Sequence, residues 1–158
     1  MILGERVRLR AIERGDILTF VRWLNDPEVQ RYLGRPPYPI SFAAEERWFE
    51  ERLKDEKNRV FAIETEEGVH IGNIGLHDLD FKDGNATLGI VIGEREYWHQ
   101  GYGTDAIRTL LRFAFQELNL HRVSLEVFEF NQRAIRCYEM KGWLERTSFG
   151  VESATTRY

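Results

Sequence analysis

The 158-residue chain predicts an α+β domain built on a mixed, mostly antiparallel sheet. Three observations carry that expectation. Apolar residues alternate with polar ones between Val60 and Ile92, interrupted by turn residues at Glu66-Glu67-Gly68 and Lys82-Asp83-Gly84, the pattern of an antiparallel meander. From Gly101 to about Leu118 the period becomes helical: Ile107, Leu110, Leu111, Ala114 and Leu118 form one stripe, with Arg108, Arg112 and Gln116 away from it. Arg122–Phe128 then alternates again, and strand, long helix, strand in succession implies a parallel pair, Asn85–Ile92 beside Arg122–Phe128.

The remaining elements follow in chain order. Residues 5–12 read as a half-exposed strand, with Val7, Leu9 and Ala11 on one side and Arg6, Arg8 and Arg10 on the other. Asp16 is placed to N-cap a helix carrying Ile17, Phe20, Val21 and Leu24, and Pro27 opens a second, short one. Gly34–Pro39 holds three of the four prolines and interrupts regular structure. Ser41 caps a helix running to about Lys54, with Ala44, Trp48 and Leu53 inward. Val60–Thr65, Val69–Leu79 and Asn85–Ile92 are the meander strands. Ala134–Met140 reads as a short helix stopped at Gly142, and Trp143–Phe149 as the last strand.

Composition narrows the functional classes. A net charge of -4 argues against nucleic acid as partner, because phosphate neutralisation needs a basic face. Cys137 is the single cysteine, so no intramolecular disulfide forms and a cytoplasmic compartment is expected. The charged first fifteen residues do not suit a secretory leader, and no apolar run approaches a membrane span. No Cys/His cluster has metal-ligand spacing, so no metal is expected.

The informative stretch is Leu88-Gly89-Ile90-Val91-Ile92-Gly93 followed by Trp98-His99-Gln100-Gly101-Tyr102-Gly103-Thr104-Asp105. A strand ends, a loop follows, and two glycines sit where the long helix begins. Free main-chain N–H groups and the positive end of the helix dipole make such a place an anion site. Glycine there lets a phosphate approach the main chain, which a Cβ would obstruct. This is not the dinucleotide fingerprint: no third glycine follows, and the preceding strand belongs to a meander.

Several motifs in order carry a family resemblance. The segment Tyr97–Ala106, the ending Leu118-Asn119-Leu120-His121-Arg122, and Asn131-x-x-Ala134-x-x-x-Tyr138-x-x-x-Gly142-Trp143 together resemble the GNAT superfamily of N-acetyltransferases. Gly4-Glu5-Arg6-Val7-Arg8-Leu9-Arg10 and Trp23-Leu24-Asn25-Asp26-Pro27-Glu28-Val29 look closest to its branch acting on ribosomal-protein N-termini and polyamines. The resemblance spans about residues 4–147 and implies a GNAT fold: a parallel pair that splays apart, and helices on both faces of the sheet. It implies acetyl-CoA as co-substrate, with the pyrophosphate on the amides of His99, Gln100, Gly101, Tyr102, Gly103 and Thr104. The pantetheine arm would lie along Val91, Ile92 and Gly93 like an added strand. A bulge at Gly89 or Gly93 would open the pair. Asn131 would touch the cofactor arm. Arg133, Arg136 and Lys141 are the candidates for the adenosine 3′-phosphate, Arg136 among them as a cofactor-binding residue. Trp98 stands where the family commonly has Gln or Arg, which removes one side-chain contact with the cofactor.

The implied reaction is direct attack of a primary amine on the thioester. It needs a neutral amine, a donor for the oxyanion and a proton for the leaving thiolate. A lysine-like or polyamine nitrogen costs about 4–5 kcal/mol to deprotonate at pH 7, an α-amine about 1. A general base therefore matters most for the former. Tyr138 matches the family tyrosine that protonates the thiolate, a transfer uphill by about 2 kcal/mol from reference pKa values. Glu126 is the expected base: Val123, Leu125 and Val127 alternate into one face, leaving Ser124, Glu126 and Phe128 on the other. His77 and His99 are its rivals by pKa. The oxyanion would meet a backbone N–H near Ile92.

The acceptor is a small-molecule or peptide amine, walled by residues drawn from Trp23, Tyr32, Tyr38 and Trp48. The alternative to an enzyme is a non-catalytic acyl-CoA-binding regulator on the same fold. Residues 1–158 are expected to form one N-acetyltransferase domain that is short at its carboxyl end, because Gly150–Tyr158 is polar where the family branch continues with further strands. An edge left open in that way predicts a homodimer. Neither nucleic acid nor membrane is expected as a partner.

Overall fold

The computed structural model describes residues 1–33, 36–128, 144–146 and 151–157. Its centre is an eight-stranded sheet in the order β1-β2-β3-β4-β5-β6-β8-β7. The strands are β1 (Ile2–Leu3), β2 (Val7–Ala11), β3 (Arg59–Thr65), β4 (His70–Asp80), β5 (Asn85–Ile92), β6 (Arg122–Phe128), β7 (Leu144–Arg146) and β8 (Val151–Arg157). Every neighbouring pair is antiparallel except β5 with β6. The helices are α1 (Ile17–Leu24), α2 (Pro27–Gln30), α3 (Phe42–Lys54) and α4 (Tyr102–Gln116).

The β4–β5 hairpin sets the site's frame. Asp80 closes its turn by accepting the amides of Lys82 and Asp83 at 2.9 and 3.0 Å. Gly84 follows at φ +71, where a Cβ would also lie 2.5 Å from the His121 ring. Its carbonyl accepts the amides of His121 and Arg122 at 2.7 and 3.1 Å, which starts β6 beside β5. The crossover through α4 makes that pair parallel, as the element order requires.

Helices pack on both faces. On one, Ile107, Leu110, Leu111 and Ala114 of α4 meet Ile74, Leu76, Leu88, Ile92, Val123 and Leu125 in the main core. On the other, Phe20, Trp23 and Val29 form a second cluster that takes in Trp48, Val91 and Trp98. Alternation along β5 divides the two: Ile90 and Ile92 join the first cluster, Val91 the second.

Four local expectations are corrected. Asp16 precedes α1 without capping it: its carboxylate accepts the Glu13 amide at 2.7 Å and the Arg10 guanidinium at 2.8 and 3.0 Å. Burial alone would raise that carboxyl, and the bonds from Arg10 and Glu13 with the nearby His70 outweigh it, so its pKa falls below the usual carboxylate value. The inward face of α3 is Glu45, Trp48 and Phe49, while Ala44 and Leu53 are exposed, one position round from the face periodicity picked out. Ala11 is also exposed, where β2 leaves the core. Finally, Val151–Arg157 is a strand inserted between β6 and β7 and paired with β6 along all seven residues. Its polar sequence hid it; ladder bonds on both sides supply what an apolar face does elsewhere.

Candidate active site

Past Leu88 the parallel pair opens. Pairing between β5 and β6 runs from Asn85↔Arg122 to Leu88↔Leu125 and stops, although both strands continue. β5 stays paired to β4 throughout, from Thr87↔His77 to Ile92↔Gly72. No register shift interrupts β5 at Gly89; the irregularities in this hairpin lie in β4 between His77 and Asp80, where Asp78 has φ 51, and just past the end of β5, where the amides of Gly93 and Glu94 both donate to Ile71 C=O at 2.9 and 3.1 Å, a bulge-like pattern. Within β5 itself the strands separate by divergence, and of the two glycines expected to carry a bulge only Gly93 sits at one.

Which backbone groups face the opening follows from the ladder. The Gly93 amide donates to Ile71 C=O at 2.9 Å, making Gly93 and Ile71 a hydrogen-bonded antiparallel pair. Such pairs alternate with non-bonded ones, so Val91 also turns its N–H and C=O to β4. Ile90 and Ile92 turn theirs the other way, toward the gap. The Ile92 carbonyl is taken by the indole N–H of Trp98 at 2.7 Å. Both groups of Ile90 and the amide of Ile92 remain presented to the gap among the described residues.

Above the gap sits the start of α4. Gly101 caps it in the left-handed region at φ 87, and His99 precedes it at φ 61. The helix's own bonds begin with Asp105 N–H to Gly101 C=O at 3.0 Å, so the amides of Tyr102 and Gly103 point out of the helix end. Gly103 is not demanded by packing: a Cβ there would lie 3.6 Å from Ile92, an ordinary contact, and its φ is not positive. Gly101 is the glycine the fold requires; Gly103 leaves open surface where an anion can approach.

The opening motif of the chain anchors this turn. The buried carboxylate of Asp105 accepts the amides of Arg6 and Val7 at 2.8 and 3.1 Å. A Cβ on Gly4 would fall 2.4 Å from Thr109 Oγ1, which explains that glycine. Arg6 binds the Gln100 carbonyl and lies 4.1 Å above the Tyr102 ring, so a guanidinium stands beside the glycine turn. Sequence reasoning missed both Ile90 and Arg6. Ile90 is readable from alternation once the register is known; nothing local distinguishes Arg6 from its neighbours Arg8 and Arg10.

The other predicted residues fall as follows. Of Val91, Ile92 and Gly93, only Ile92 offers a backbone donor to the gap. His99 and Gln100 are exposed, and Gln100 Nε2 donates to Glu96 C=O. Tyr102, Gly103 and Thr104 form the half-buried first turn. Trp98 replaces the expected side-chain contact with a structural one, tying the loop to Ile92 and packing edge-on to Tyr32 at 5.7 Å between centroids. Glu126 pairs through its backbone with Ser153 of β8. Tyr138, Asn131, Arg136, Arg133, Lys141 and Cys137 lie outside the described residues, as does the short helix expected at Ala134–Met140. Trp23 is buried core and Tyr38 is exposed on the surface, which leaves Tyr32 and Trp48 half-buried among the predicted acceptor walls. Among the described residues no cluster of His, Cys, Asp or Glu could hold a metal ion, and no helix is long and apolar enough to cross a membrane.

Known proteins share this fold. Residues 6–143 match the family described as acetyltransferase (GNAT) domain. A prophage-derived, uncharacterized N-acetyltransferase, YokL, from Bacillus subtilis is 33% identical over 143 residues, covering 90% of this chain and 78% of its own. The spermidine N(1)-acetyltransferase of Vibrio cholerae is 29% identical over 143 residues, covering 90% and 82%. A crystal structure of spermidine N-acetyltransferase from Vibrio cholerae with CoA and spermine superposes with TM-score 0.88 at 25% identity, covering 98% of this chain and 96% of that one. A dodecameric structure of a spermidine N-acetyltransferase from that organism matches with TM-score 0.77 at 26% identity, covering 98% and 95%. A splayed β5–β6 pair beneath a glycine-capped helix, with the family match across 138 of 158 positions (6 through 143), has one meaning: the chain belongs to the GNAT acetyltransferase family and is an N-acetyltransferase that uses acetyl-CoA.

Proposed function

We propose that this chain acetylates a primary amine of a polyamine by direct attack of the nitrogen on the acetyl-CoA thioester. One observation supports the site most: β5 leaves β6 after Leu88 and presents the amides of Ile90 and Ile92 to the gap, directly below the first turn of α4. A pantetheine arm fits there as an added strand, and the first-turn amides of Tyr102 and Gly103 with the neighbouring His99, Gln100, Gly101 and Thr104 suit the pyrophosphate. Val91 and Gly93 border the arm, and Ile92 N–H is the donor for the oxyanion. Asn131 and Arg136 are carried forward from the sequence as cofactor contacts, and Tyr138 as the acid that protonates the thiolate. The base is Glu126 of β6 or His77 of β4.

The acceptor class rests on the spermidine-acetylating relatives, on the CoA- and spermine-bound neighbour, and on a net charge of -4 that favours a cationic substrate. Residues 1–158 act as one GNAT domain in the cytoplasm and assemble as homodimers, with the dodecameric neighbour as precedent for self-association. Light scattering tests the assembly; a monomer at high concentration would refute it. The functional test is calorimetry with acetyl-CoA followed by thiol release across spermidine, spermine, lysine and an N-terminal peptide. Saturable binding and faster release with the polyamines are expected. Release with the peptide alone would replace polyamine by protein α-amine as the acceptor.

A further inference from the structure

The sheet face opposite α4 carries an imidazole that the cofactor site does not use. His77 lies across the β4–β5 pair Gly75↔Gly89, and a Cβ on either glycine would fall 3.2 Å from its Nε2. Two opposed glycines thus clear the space the ring occupies. Gly89 is the first residue of β5 beyond the last parallel pair, and Ile92, whose N–H is assigned to the oxyanion, lies three residues further, about 10 Å along the strand, so a water must bridge the ring and the attacking nitrogen.

A chain of bonds sets the protonation of that ring. Arg52 of α3 pairs with Asp55 at 3.0 Å. Asp55 accepts the Asn58 side-chain amide at 2.8 Å, which fixes the Asn58 oxygen as the acceptor toward His77. That oxygen lies 3.2 Å from His77 Nδ1 and also takes the Asp78 amide at 3.3 Å. Nδ1 must therefore carry the proton, leaving Nε2 as a bare lone pair. Nε2 has no partner among the described residues. The other histidine of β4 is a useful contrast: His70 has Nδ1 3.3 Å from Asp16 and Nε2 3.0 Å from both Gly72 C=O and Asn73 Oδ1, so both its nitrogens are occupied.

We propose that His77 Nε2 is the general base that takes the proton from the acceptor ammonium. The assignment rests on the acetyl-transfer reading above and deepens it. The N–H bond of the ammonium breaks, a bridging water takes that proton and passes one of its own, and Nε2–H forms. The freed nitrogen pair attacks the thioester carbonyl, the C–S bond breaks, and the thiolate takes its proton from a separate acid. The charged groups acting on the ring are Arg52 and Asp55 from the α3 side and Asp78 beside it in β4. Burial, with the Arg52 charge, holds the imidazole below its ordinary pKa against the raising effect of Asp78 and Asp55. It is neutral at pH 7 and ready to accept.

The test compares thiol release by wild type and His77→Gln with spermidine from pH 6 to 10, alongside acetyl-CoA affinity. At pH 7 the variant is expected to lose about a hundredfold in kcat/KM, within the usual range for a general base, with affinity for acetyl-CoA within twofold. Its deficit closes as pH approaches the amine's own pKa of about 10.4, where the substrate deprotonates unaided. Added imidazole partly restores His77→Ala. Nitrogen NMR of the wild-type ring, which needs no variant to fold, is expected to show Nδ1 protonated and Nε2 bare. A pH-independent deficit, a loss below threefold, the opposite tautomer, or the closing deficit appearing in Glu126→Gln instead would overturn the assignment. Thiol release by wild type with an unaffected His77→Gln removes His77 alone; no release by wild type with any amine removes the acetyl-transfer reading as well.

Discussion

The two halves of β5 differ in what their backbone does. Asn85–Leu88 is bonded on both sides, to β4 and β6, and its side chains Ala86 and Leu88 are buried under α4. Gly89–Ile92 keeps the β4 ladder but has left β6, so every second residue presents polar groups to open space. The first half is ordinary sheet core. The second keeps the rigidity of a strand while carrying the unsatisfied groups of an edge, which a sheet interior normally forbids. Substitutions in the closed half should therefore cost stability, and those around the open half should cost binding.

The largest effect should erase the distinction. Gly93→Val would drive a side chain into Trp23, since even a Cβ there lies 2.0 Å from the ring. Trp23 is 3% exposed and hydrogen-bonds Glu94 at 2.9 Å, so it cannot move without opening the second core. Thermal denaturation is expected to show loss of the cooperative fold or a destabilisation of about 3 kcal/mol or more. Leu88→Ala comes next. Its side chain is 2% exposed, and the cost should be about 2–5 kcal/mol in chemical denaturation, with acetyl-CoA affinity retained under native conditions.

Gly103→Val is the complementary case, because the fold has room for a Cβ and φ there is ordinary. Stability should stay within about 1 kcal/mol, while calorimetry should show acetyl-CoA affinity down at least tenfold, equivalent to about 1.4 kcal/mol. Equal affinity would remove the glycine turn from the binding site. The smallest effect is expected from Trp98→Phe, which keeps an aromatic ring and deletes the bond to Ile92 C=O. A loss of about 1 kcal/mol in stability is expected, with cofactor affinity changed less than threefold.

The closed half and its surroundings were legible in the sequence; the open half was legible only by resemblance. Period-two and period-3.6 patterns located Asn85–Ile92, α4 and Arg122–Phe128 because each buries one face, and burial writes itself into residue type. Ser41 was readable for a similar local reason: its side chain accepts the Ala44 amide of the helix it opens, at 3.1 Å. The separation of β5 from β6 leaves no such trace, since it is a property of backbone direction. Nor does the Arg52–Asp55–Asn58–His77 chain, whose ends are 25 residues apart and meet only when α3 and β4 are in place. Asp16 misled because its capping position was plain while its real partner, Arg10, came from a neighbouring strand. The strand Val151–Arg157 was passed over because five of its seven residues are polar or charged.

Acetyl-CoA is expected to engage the amides of Ile90 and Ile92 together with those of Tyr102 and Gly103. Amide NMR during an acetyl-CoA titration tests it most directly. Saturable shifts and slowed exchange are expected at Ile90, Ile92, Tyr102 and Gly103, with Ala86 and Leu88 little changed. Shifts confined to Asn85–Leu88, or no response at either the strand end or the helix start, would contradict it.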